Sequence, residues 1–492
     1  MKSVYYLYYD LETNVSQMLL PSGEIKEYSS TRFLDDINNK KRKQSIVFVN
    51  NLTIIKQLID GVDGTRDEIF LWQHGFIQFR SMNGLTNLPR FDKLCELYDT
   101  KCIPQAFRLF VEYLGDPQTV KYGLATNTKR MFYSDLDLSS TAISDLKRFR
   151  QCIAGDKSGA MPIIESIREI RPHVFGADSY DMKSAYASVL CTDDMYPIGK
   201  VHASHQKDIL NIVEHKKWCK IVFDGEVEGL GGFYDEEYDM TALEYYDILY
   251  LRDFCHDDIS HYIHIPHTVL WSDETGYLDK RFRDKMHETY VLKQSLDHDD
   301  PRRFFVKMQL EMIYGKSIQK RDFKSDMAVK KFLETQFLQP HQGMHTTAAV
   351  RYNLVKAMLE IPEHVFYWDT DCLKVDNEFD HESYFNALNK NIIERNRKSG
   401  YDSDIGTFKH EGHYDEFKAW SLKVYAYRQG DDFTLKAAGF ADDLKKEFIS
   451  MIGDMSIIDF IDKRGLIYYQ KCYSVENGLV TVGYIKKNPL DD

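Results

Sequence analysis

The sequence lacks the cysteine pattern of a disulfide-bonded or zinc-binding protein. Eight cysteines are scattered over 492 residues, and no two of them form a C-x-x-C pair. Closely spaced pairs mark structural zinc sites, and regular spacings in short secreted chains mark disulfide frameworks. The composition therefore indicates neither class and fits a reducing cytosol.

Long apolar runs, repeats and low-complexity tracts are also missing. A membrane-spanning helix needs about 18 or more consecutive apolar residues, and no such run occurs. The opening residues lead straight into an apolar strand and show no signal-peptide pattern. We therefore expect no membrane partner and a cytoplasmic location.

Positive charge is in deficit, since 63 Lys and Arg stand against 76 Asp and Glu, for a net charge of −13. Phosphate contacts dominate nucleic-acid affinity, so this balance argues mildly against a nucleic-acid-binding protein. Net charge does not fix the local field, however. Basic clusters remain at residues 40–43, 147–150, 281–285, 316–324 and 486–487.

The chain is long enough for two or more domains with a sizeable core. Within it, two carboxylates stand one residue apart in an apolar stretch, as Asp369-Thr370-Asp371. The flanking residues predict a β-hairpin with this triplet at its tip, where acids can hold a divalent cation. Asp is also common in ordinary turns, and glycosyltransferases use a D-x-D motif as well. The triplet needs partners to be specific.

Two further segments supply candidate partners. Asp181 follows a strand-like stretch, residues 173–180, and could face Asp371 across a sheet. Downstream, Arg303, Lys307, Glu311 and Tyr314 recur at spacings of four, four and three, so a helix would place them on one face.

In order and spacing, these elements resemble motifs A, B and C of family B DNA polymerases. The matched segments are Asp181-Met182-Lys183-Ser184-Ala185-Tyr186, Lys307 to Gly315, and Tyr367 to Asp371. They are most similar to the protein-primed group of bacteriophages and linear plasmids. The resemblance implies a mixed α/β (α+β) right-hand polymerase with palm, fingers and thumb. It also implies an N-terminal exonuclease-like domain of RNase H-like α/β fold.

The resemblance implies a two-metal phosphoryl transfer. Asp181 and Asp371 would bridge two Mg²⁺ ions, for which Mn²⁺ can substitute, and Asp369 would complete the catalytic set. The Met182 carbonyl would be a further metal ligand.

The same resemblance assigns nucleotide-binding and DNA-binding residues. Lys307 and Lys293 would hold the incoming triphosphate, with Arg303 on the same helix face as Lys307. Tyr186 would lie under the sugar and exclude a 2′-hydroxyl, and Tyr314 would stack near the new base pair. The template and primer would be contacted by Gly315, Lys423, Tyr425 and Lys436.

One position departs from the family pattern, because Glu311 stands where the family has Asn. An acid beside a triphosphate repels it unless Lys307 or Arg303 neutralises the charge. Either the helix is adapted around an ion pair, or nucleotide affinity is reduced.

The N-terminal region resembles a 3′–5′ exonuclease whose carboxylate set is incomplete. Asp10 and Glu12 match the first motif, and Asp137, four residues after Tyr133, matches the third. The second motif should supply an acid, but Ile54 or Ile55 stands there, depending on whether Asn50 or Asn51 is aligned. A strand at 77–82 offers no aspartate either. We therefore predict a vestigial site with weak or no proofreading.

Domain boundaries follow from the motif positions. We predict an exonuclease-like domain over 1–150 and a polymerase domain over 151–492. The polymerase domain would comprise a palm (about 170–280 and 345–440), fingers (about 281–344) and a thumb (about 441–492). Residues 200–270 would match the insertion that contacts the terminal protein in protein-primed enzymes.

The expected partners are a DNA template-primer, dNTPs and a terminal protein primer, and we expect the protein to act as a monomer. The location would be the host cytoplasm if the gene is viral. Two alternatives remain open at this point. One is a non-catalytic DNA-binding replication scaffold, and the other is a metal-dependent glycosyltransferase.

Overall fold

The computed structural model describes most of the chain in segments. They are 2–10, 13–29, 32–33, 45–51, 55, 58–59, 70–72, 77–81, 88–114, 117, 132–133, 136, 142–154, 173–204, 209–215, 217–236, 238–272, 274–298, 300–317, 325–421, 423–437, 456, 458, 461, 468–476 and 479–487. The chain divides into two compact units. The first contains Met1–Ser134, Leu292–Lys316 and Tyr469–Lys486, and the second contains Asp135–Val291, Ser317–Tyr468 and Lys487–Asp492.

The first unit contains a six-stranded mixed sheet. Its strands are β1 (Ser3–Tyr9), β2 (Val15–Leu19), β3 (Ile25–Ser29), β4 (Ser45–Val49), β5 (Phe70–Trp72) and β6 (Ile77–Ser81). The strand order is β3-β2-β1-β4-β6-β5. The β1–β4 and β4–β6 pairs are parallel, and the other pairs are antiparallel.

Both faces of the central strand β1 are buried. Tyr5, Leu7 and Tyr9 lie in one apolar cluster, whereas Tyr6 and Tyr8 lie in the cluster on the opposite face. This alternation is the period of two of a β-strand, and burial on both sides explains why the strand is apolar throughout.

Helices cover one face of this sheet. The unit contains α1 (Leu88–Leu97) and α2 (Ile103–Leu114), and a hairpin of β20 (Tyr468–Glu476) and β21 (Leu479–Lys487) falls almost wholly in it. Helix α8 (Pro301–Ser317) packs through Phe305 onto Phe110 of α2, with ring centroids 5.1 Å apart.

The second unit is built on a six-stranded antiparallel sheet. Its strands are β7 (Val174–Met182), β15 (Val365–Asp369), β16 (Cys372–Asp376), β17 (Phe408–Ser421), β18 (Val424–Gln429) and β19 (Asp432–Ala437). They run in the order β15-β16-β7-β17-β18-β19. The prediction for the Asp181 strand ended at Tyr180, but β7 continues through Met182, so Asp181 is inside the strand rather than beyond it.

A second sheet covers the interval predicted as an insertion. Its strands are β9 (Val201–Ser204), β10 (Cys219–Asp224), β11 (Tyr234–Asp235), β12 (Met240–Glu244) and β13 (His267–Ser272), in the order β11-β12-β10-β13-β9. A short pair of β8 (Tyr196–Pro197) and β14 (Thr275–Gly276) lies beside it in sequence.

The described residues contain eight further α-helices. They are α3 (Leu146–Ala154), α4 (Ala185–Thr192), α5 (Ile209–Glu214), α6 (Tyr245–Asp253), α7 (Lys280–Ser295), α9 (Asp326–Leu333), α10 (Pro340–Lys356) and α11 (His381–Lys398). Helix α10 starts with Pro340 at its first turn, where the missing N–H costs nothing. Helix α11 covers one face of the second unit's first sheet, where Phe385 stacks on Tyr180 at 3.7 Å between centroids.

Arg283 fixes the first half of α7 to two helix ends. Its guanidinium donates to the carbonyls of Cys191 and Ser399, each at 3.1 Å, and to the carbonyl of Leu278 at 3.0 Å. Cys191 is in the last turn of α4, and Ser399 caps α11. A buried cation satisfies carbonyls that a helix end leaves without partners.

Among the described residues, no helix combines the length and the apolarity that crossing a membrane requires.

Candidate active site

The predicted hairpin is present with both acids at its tip. Strand β15 ends at Asp369 and β16 begins at Cys372, so Thr370 and Asp371 form the connection. The Asp371 N–H donates to the Asp369 carbonyl at 2.7 Å, and the Thr370 hydroxyl donates to the Asp369 carboxylate at 2.8 Å. Thr370 has a φ of +59°, which is a strained conformation for a β-branched residue. Such strain is typical of functional sites.

Asp181 lies beside this tip. Strand β7 pairs with β16 so that Asp181 is opposite Cys372, and the Met182 N–H donates to the Asp371 carbonyl at 2.8 Å. The ladder between the two strands thus brings together residues predicted from two separate motifs: Asp181 and Met182 from the first, and Asp371 from the third.

Cys372 has a structural role in this ladder. Its thiol lies 3.7 Å from the Ser179 hydroxyl, and burial raises the pKa of the thiol. A cysteine that remains protonated is a poor nucleophile, so the thiol contributes packing and not reactivity.

A lysine predicted to contact the primer lies beside one of the three aspartates that were predicted to be catalytic. Lys423 has its Nζ 3.7 Å from Asp369 Oδ1, and its N–H donates to the Tyr367 hydroxyl at 3.0 Å. Its φ is +59°, in the tight turn between β17 and β18. The side chain is 54% exposed, so the ion pair is screened and easily exchanged. This contact between Lys423 and Asp369 was not predicted from the sequence.

Tyr186 is in the first turn of α4, and Ser184, the N-cap residue of that helix, has a φ of +50°. Burial raises the pKa of the Tyr186 phenol to about 12, with further contributions from Asp371 and Asp369. The carboxylates of the hairpin tip are therefore electrostatic neighbours of this phenol, which remains neutral.

The donor set at the tip fits a hard divalent cation. Asp181, Asp369, Asp371 and the Met182 carbonyl offer oxygen, which Mg²⁺ prefers, and Mg²⁺ also keeps several water ligands. The ammonium of Lys423 beside Asp369 shows that this one carboxylate already attracts a positive charge.

The three aspartates do not form a tight cage. Within the part of the chain that the structure describes, one group of three candidate ligands has all its atoms within 4.8 Å of one another. It consists of His364, Asp376 and Glu378, at the other end of the same hairpin. His364 Nδ1 lies 2.9 Å from Asp376 Oδ1, so this group is a histidine–aspartate hydrogen bond between the hairpin's two strand ends.

A buried ammonium lies in the sheet near the tip. Lys374 Nζ is 2.5 Å from the Ser179 hydroxyl and 3.4 Å from the Tyr414 hydroxyl, and it lies over the Tyr414 ring at 5.1 Å. Such stacking on an aromatic face is favourable for a desolvated cation.

Tyr425, predicted to contact the primer, is half-buried with its ring centroid 5.3 Å from that of Tyr367. Burial raises the pKa of the Tyr425 phenol. Lys436, in β19, is exposed.

The helix predicted to bind the triphosphate is α8, in the first unit. Lys307 Nζ lies 3.7 Å from Glu311 Oε1, and both side chains are 61% exposed. Glu311, the residue that differs from the family pattern, therefore forms an ion pair with Lys307 one turn away on the helix. Tyr314 is buried, and a Cβ on Gly315 would meet nothing within 4 Å.

Arg303 has a local partner in the same unit. One of its terminal nitrogens donates to the carbonyls of Lys293 at 2.5 Å and Leu296 at 2.9 Å. These carbonyls end α7, so the arginine caps that helix. Its contact with a nucleotide, like that of Lys293, stays a prediction.

The structure describes some of the residues that were predicted to form a vestigial exonuclease site. Asp10 accepts from the Thr13 hydroxyl at 2.7 Å, whereas Glu12 and Asp137 lie outside the described residues. Asn50 is fully buried and exchanges two 2.9 Å hydrogen bonds with the backbone of Tyr9.

Of the two residues that replace the acid of the second exonuclease motif, Ile55 is in the apolar core, and Ile54 lies outside the described residues. Strand β6 presents buried Arg80, which donates to the Pro117 carbonyl at 3.0 Å and lies 5.8 Å over the Phe48 ring. A cation stands in the strand where a metal-binding site would need an acid.

No protein-family model matches the sequence, and no curated protein matches it. Solved structures do match. The phi29 DNA polymerase complexed with primer-template DNA aligns with a TM-score of 0.67 at 12% identity, covering 99% of this chain and 100% of that one. The same polymerase with primer-template DNA and incoming nucleotides gives a TM-score of 0.66, and with single-stranded DNA 0.65, at the same identity and coverage. The chain therefore has the mixed α/β fold of phi29 DNA polymerase, a protein-primed family B enzyme.

Proposed function

We propose that this chain is a template-directed DNA polymerase. It adds deoxynucleotides to a primer 3′-OH or to a terminal-protein hydroxyl, in the replication of a viral or plasmid genome. The observation that carries the proposal is the pairing of β7 with β16, which sets Asp181 beside Asp371 through the 2.8 Å bond from the Met182 N–H. The full-length similarity to the phi29 fold supports it.

Each residue has a defined task in this proposal. Asp181, Asp371 and the Met182 carbonyl hold the metal side of the site, and Asp369 completes it. Two Mg²⁺ ions, when bound, would neutralise charge on the attacking and leaving oxygens. Lys423 turns from Asp369 toward the primer strand, because an exposed, screened pair costs little to open.

The partners follow from the same comparison. The matching phi29 structures hold primer-template DNA and incoming nucleotides, and we propose these partners here. A terminal-protein primer, action as a monomer and location in a host cytoplasm are parts of the proposal. The proposal also includes the division of the chain into an exonuclease-like domain and a polymerase domain with palm, fingers and thumb.

The two alternatives account for less. A glycosyltransferase using Asp369 and Asp371 gives no role to Asp181 on the neighbouring strand. A non-catalytic scaffold gives no reason for strain at Thr370 between the two acids.

Primer extension tests the proposal directly. The full chain, a labelled primer-template, Mg²⁺ and dNTPs should give products one template position longer at each step. No extension with Mg²⁺ or Mn²⁺, on a DNA primer or a terminal-protein primer, would favour the scaffold.

Replacement of Tyr186 with Ala should relax sugar discrimination. The neutral phenol excludes a 2′-hydroxyl by volume, and one steric contact of this kind supplies roughly 10- to 200-fold in specificity. The ratio of kcat/KM for dNTP to that for rNTP, measured by single-nucleotide extension, should fall by about that factor. Tyr186→Phe keeps the ring and should leave the ratio unchanged.

Proofreading should be weak or absent. A metal-binding exonuclease site depends on its full oxygen set, but Ile54 or Ile55 stands where the second motif should supply an acid, and the strand at 77–82 offers no aspartate. Release of a 3′-terminal labelled nucleotide from single-stranded DNA should therefore be slow, and Asp10→Ala should change it little. Fast release that Asp10→Ala abolishes would contradict the prediction.

A further inference from the structure

One carboxylate outside the motifs links the connection between β7 and α4 to α7. We call this connection, which contains Lys183 and Ser184, the catalytic loop. Asp404 Oδ2 lies 2.5 Å from Lys183 Nζ, and Asp404 Oδ1 accepts from the Tyr290 hydroxyl at 2.8 Å. Lys183 directly follows Met182, and Tyr290 is on α7, which continues to Lys293. Both carboxylate oxygens therefore have a partner, each on a different element.

The loop that carries Asp404 is also fixed to the catalytic loop through the backbone. The Lys183 N–H donates to the Thr407 carbonyl at 2.9 Å, and the Gly406 N–H donates to the Lys183 carbonyl at 2.8 Å. Gly406 has a φ of +80°, and a Cβ there would lie 2.1 Å from Ser188 Oγ of α4. The position therefore requires glycine, and the loop has little freedom to shift.

The Tyr290 side of the bridge is rigid as well. Tyr290 is 1% exposed, and α7 is held independently by the buried guanidinium of Arg283. Burial opposes ionisation of Asp404, but hydrogen bonds from Lys183 and Tyr290, with the charge of Lys183, outweigh it and lower the pKa of the carboxyl. The carboxylate is therefore charged at neutral pH.

We propose that Asp404 is a positioning residue that acts on the metal ligands through the catalytic loop. By holding Lys183 against α7, it fixes the Met182 carbonyl and the Asp181 carboxylate where the ions bind. The inference rests on the polymerase function proposed above. Residues that orient metal ligands from outside typically change metal affinity by about 10- to 100-fold.

A purely stabilising ion pair predicts something different. The Asp404 side chain is 46% exposed and that of Lys183 is 26% exposed, and ion pairs exposed to this degree contribute little to stability. A stabilising role would therefore give a small loss of stability and no change in metal affinity.

The chain offers a matched control on the same helix. Tyr401 donates to Asp284 of α7 at 2.9 Å, a tyrosine–aspartate bond of the same type as Tyr290 to Asp404 at 2.8 Å. It does not involve the catalytic loop. Tyr401→Phe and Tyr290→Phe each remove one hydroxyl. Only Tyr290→Phe removes a hydrogen bond to Asp404.

The experiment measures Mn²⁺ binding by electron paramagnetic resonance, with the full chain on a dideoxy-terminated primer-template plus the next dNTP. We expect Asp404→Ala and Tyr290→Phe to weaken Mn²⁺ binding by about tenfold or more, and Tyr401→Phe to bind as wild type. The exchange Lys183→Asp with Asp404→Lys should recover part of the affinity that Asp404→Ala loses. The half-saturating Mg²⁺ concentration for extension should shift in parallel.

Two results would overturn the inference. One is wild-type Mn²⁺ affinity in both Asp404→Ala and Tyr290→Phe, and the other is an equal loss in Tyr401→Phe. A wild-type protein that extends no primer refutes the polymerase proposal instead, so the two failures are distinguishable.

Discussion

Asp371→Asn should abolish primer extension, with kcat reduced by at least about 10³-fold. Metal ions supply several kcal/mol of transition-state stabilisation, and about 4 kcal/mol corresponds to that factor. The amide keeps the shape and the backbone bond to the Met182 N–H, so folding and DNA binding should be retained. Single-turnover extension and a DNA-binding titration measure the two quantities separately.

Asp369→Asn should also cut extension, but less than Asp371→Asn. By the proposal Asp371 bridges both ions, whereas Asp369 only completes the site, so less of the metal binding depends on Asp369. Asp432→Asn, an exposed acid at the start of β19, serves as the control and should extend as wild type. Retained extension in both Asp369→Ala and Asp371→Ala would refute the catalytic assignment.

The centre of the site was predictable because its signals are local or of short range. A tight turn between two apolar strands predicted the Asp369–Asp371 tip, and the strand-like residues before Asp181 predicted its partner. What failed was the exact strand end. Asp181 is polar in an apolar run, which reads as a strand end in sequence, yet β7 continues through Met182 because the ladder with β16 and β17 supplies its hydrogen bonds.

The surrounding charges could not be predicted, since they depend on contacts between distant segments. Lys423 reaches Asp369, and Lys183 reaches Asp404, which is 221 positions along the chain. Neither pair has a characteristic spacing. The Lys307–Glu311 pair is different, because a separation of four on a helix is readable from sequence. An ion pair was one of the two outcomes predicted for Glu311.

A buried polar network in the second unit also escaped prediction. His345 of α10 lies between two carboxylates, with Nδ1 2.6 Å from Glu244 and Nε2 3.5 Å from Asp193. Glu244 also accepts from the indole N–H of Trp218 and from the Tyr246 N–H at 2.9 Å. The three elements joined this way are α10, the start of α6 and the end of α4, the helix that carries Tyr186.

Replacement of His345 with Leu should lower the free energy of unfolding by about 3–5 kcal/mol, because removing one partner leaves buried carboxylates uncompensated. His341→Leu is the matched control one turn earlier on the same helix. Both residues are fully buried, but the ring nitrogens of His341 have no hydrogen-bond partner among the described residues. That ring packs on Phe149 and Trp218, so the control should be neutral or stabilising. Denaturant unfolding measures both.

The pH dependence identifies the charge. Burial alone would lower the pKa of His345, but Glu244 and Asp193 outweigh it and raise the pKa from 6.5 to about 10. Burial lowers the pKa of His341 to about 3, so that residue stays neutral. A raised pKa means that the folded state binds the proton more tightly, so the stabilisation is full below pH 6.5 and is lost as the pH rises toward 10. The stability difference between wild type and His345→Leu should therefore shrink over this range. A difference that is constant from pH 6.5 to pH 10 would mean that His345 is neutral. Its contacts with Glu244 and Asp193 would then be hydrogen bonds alone.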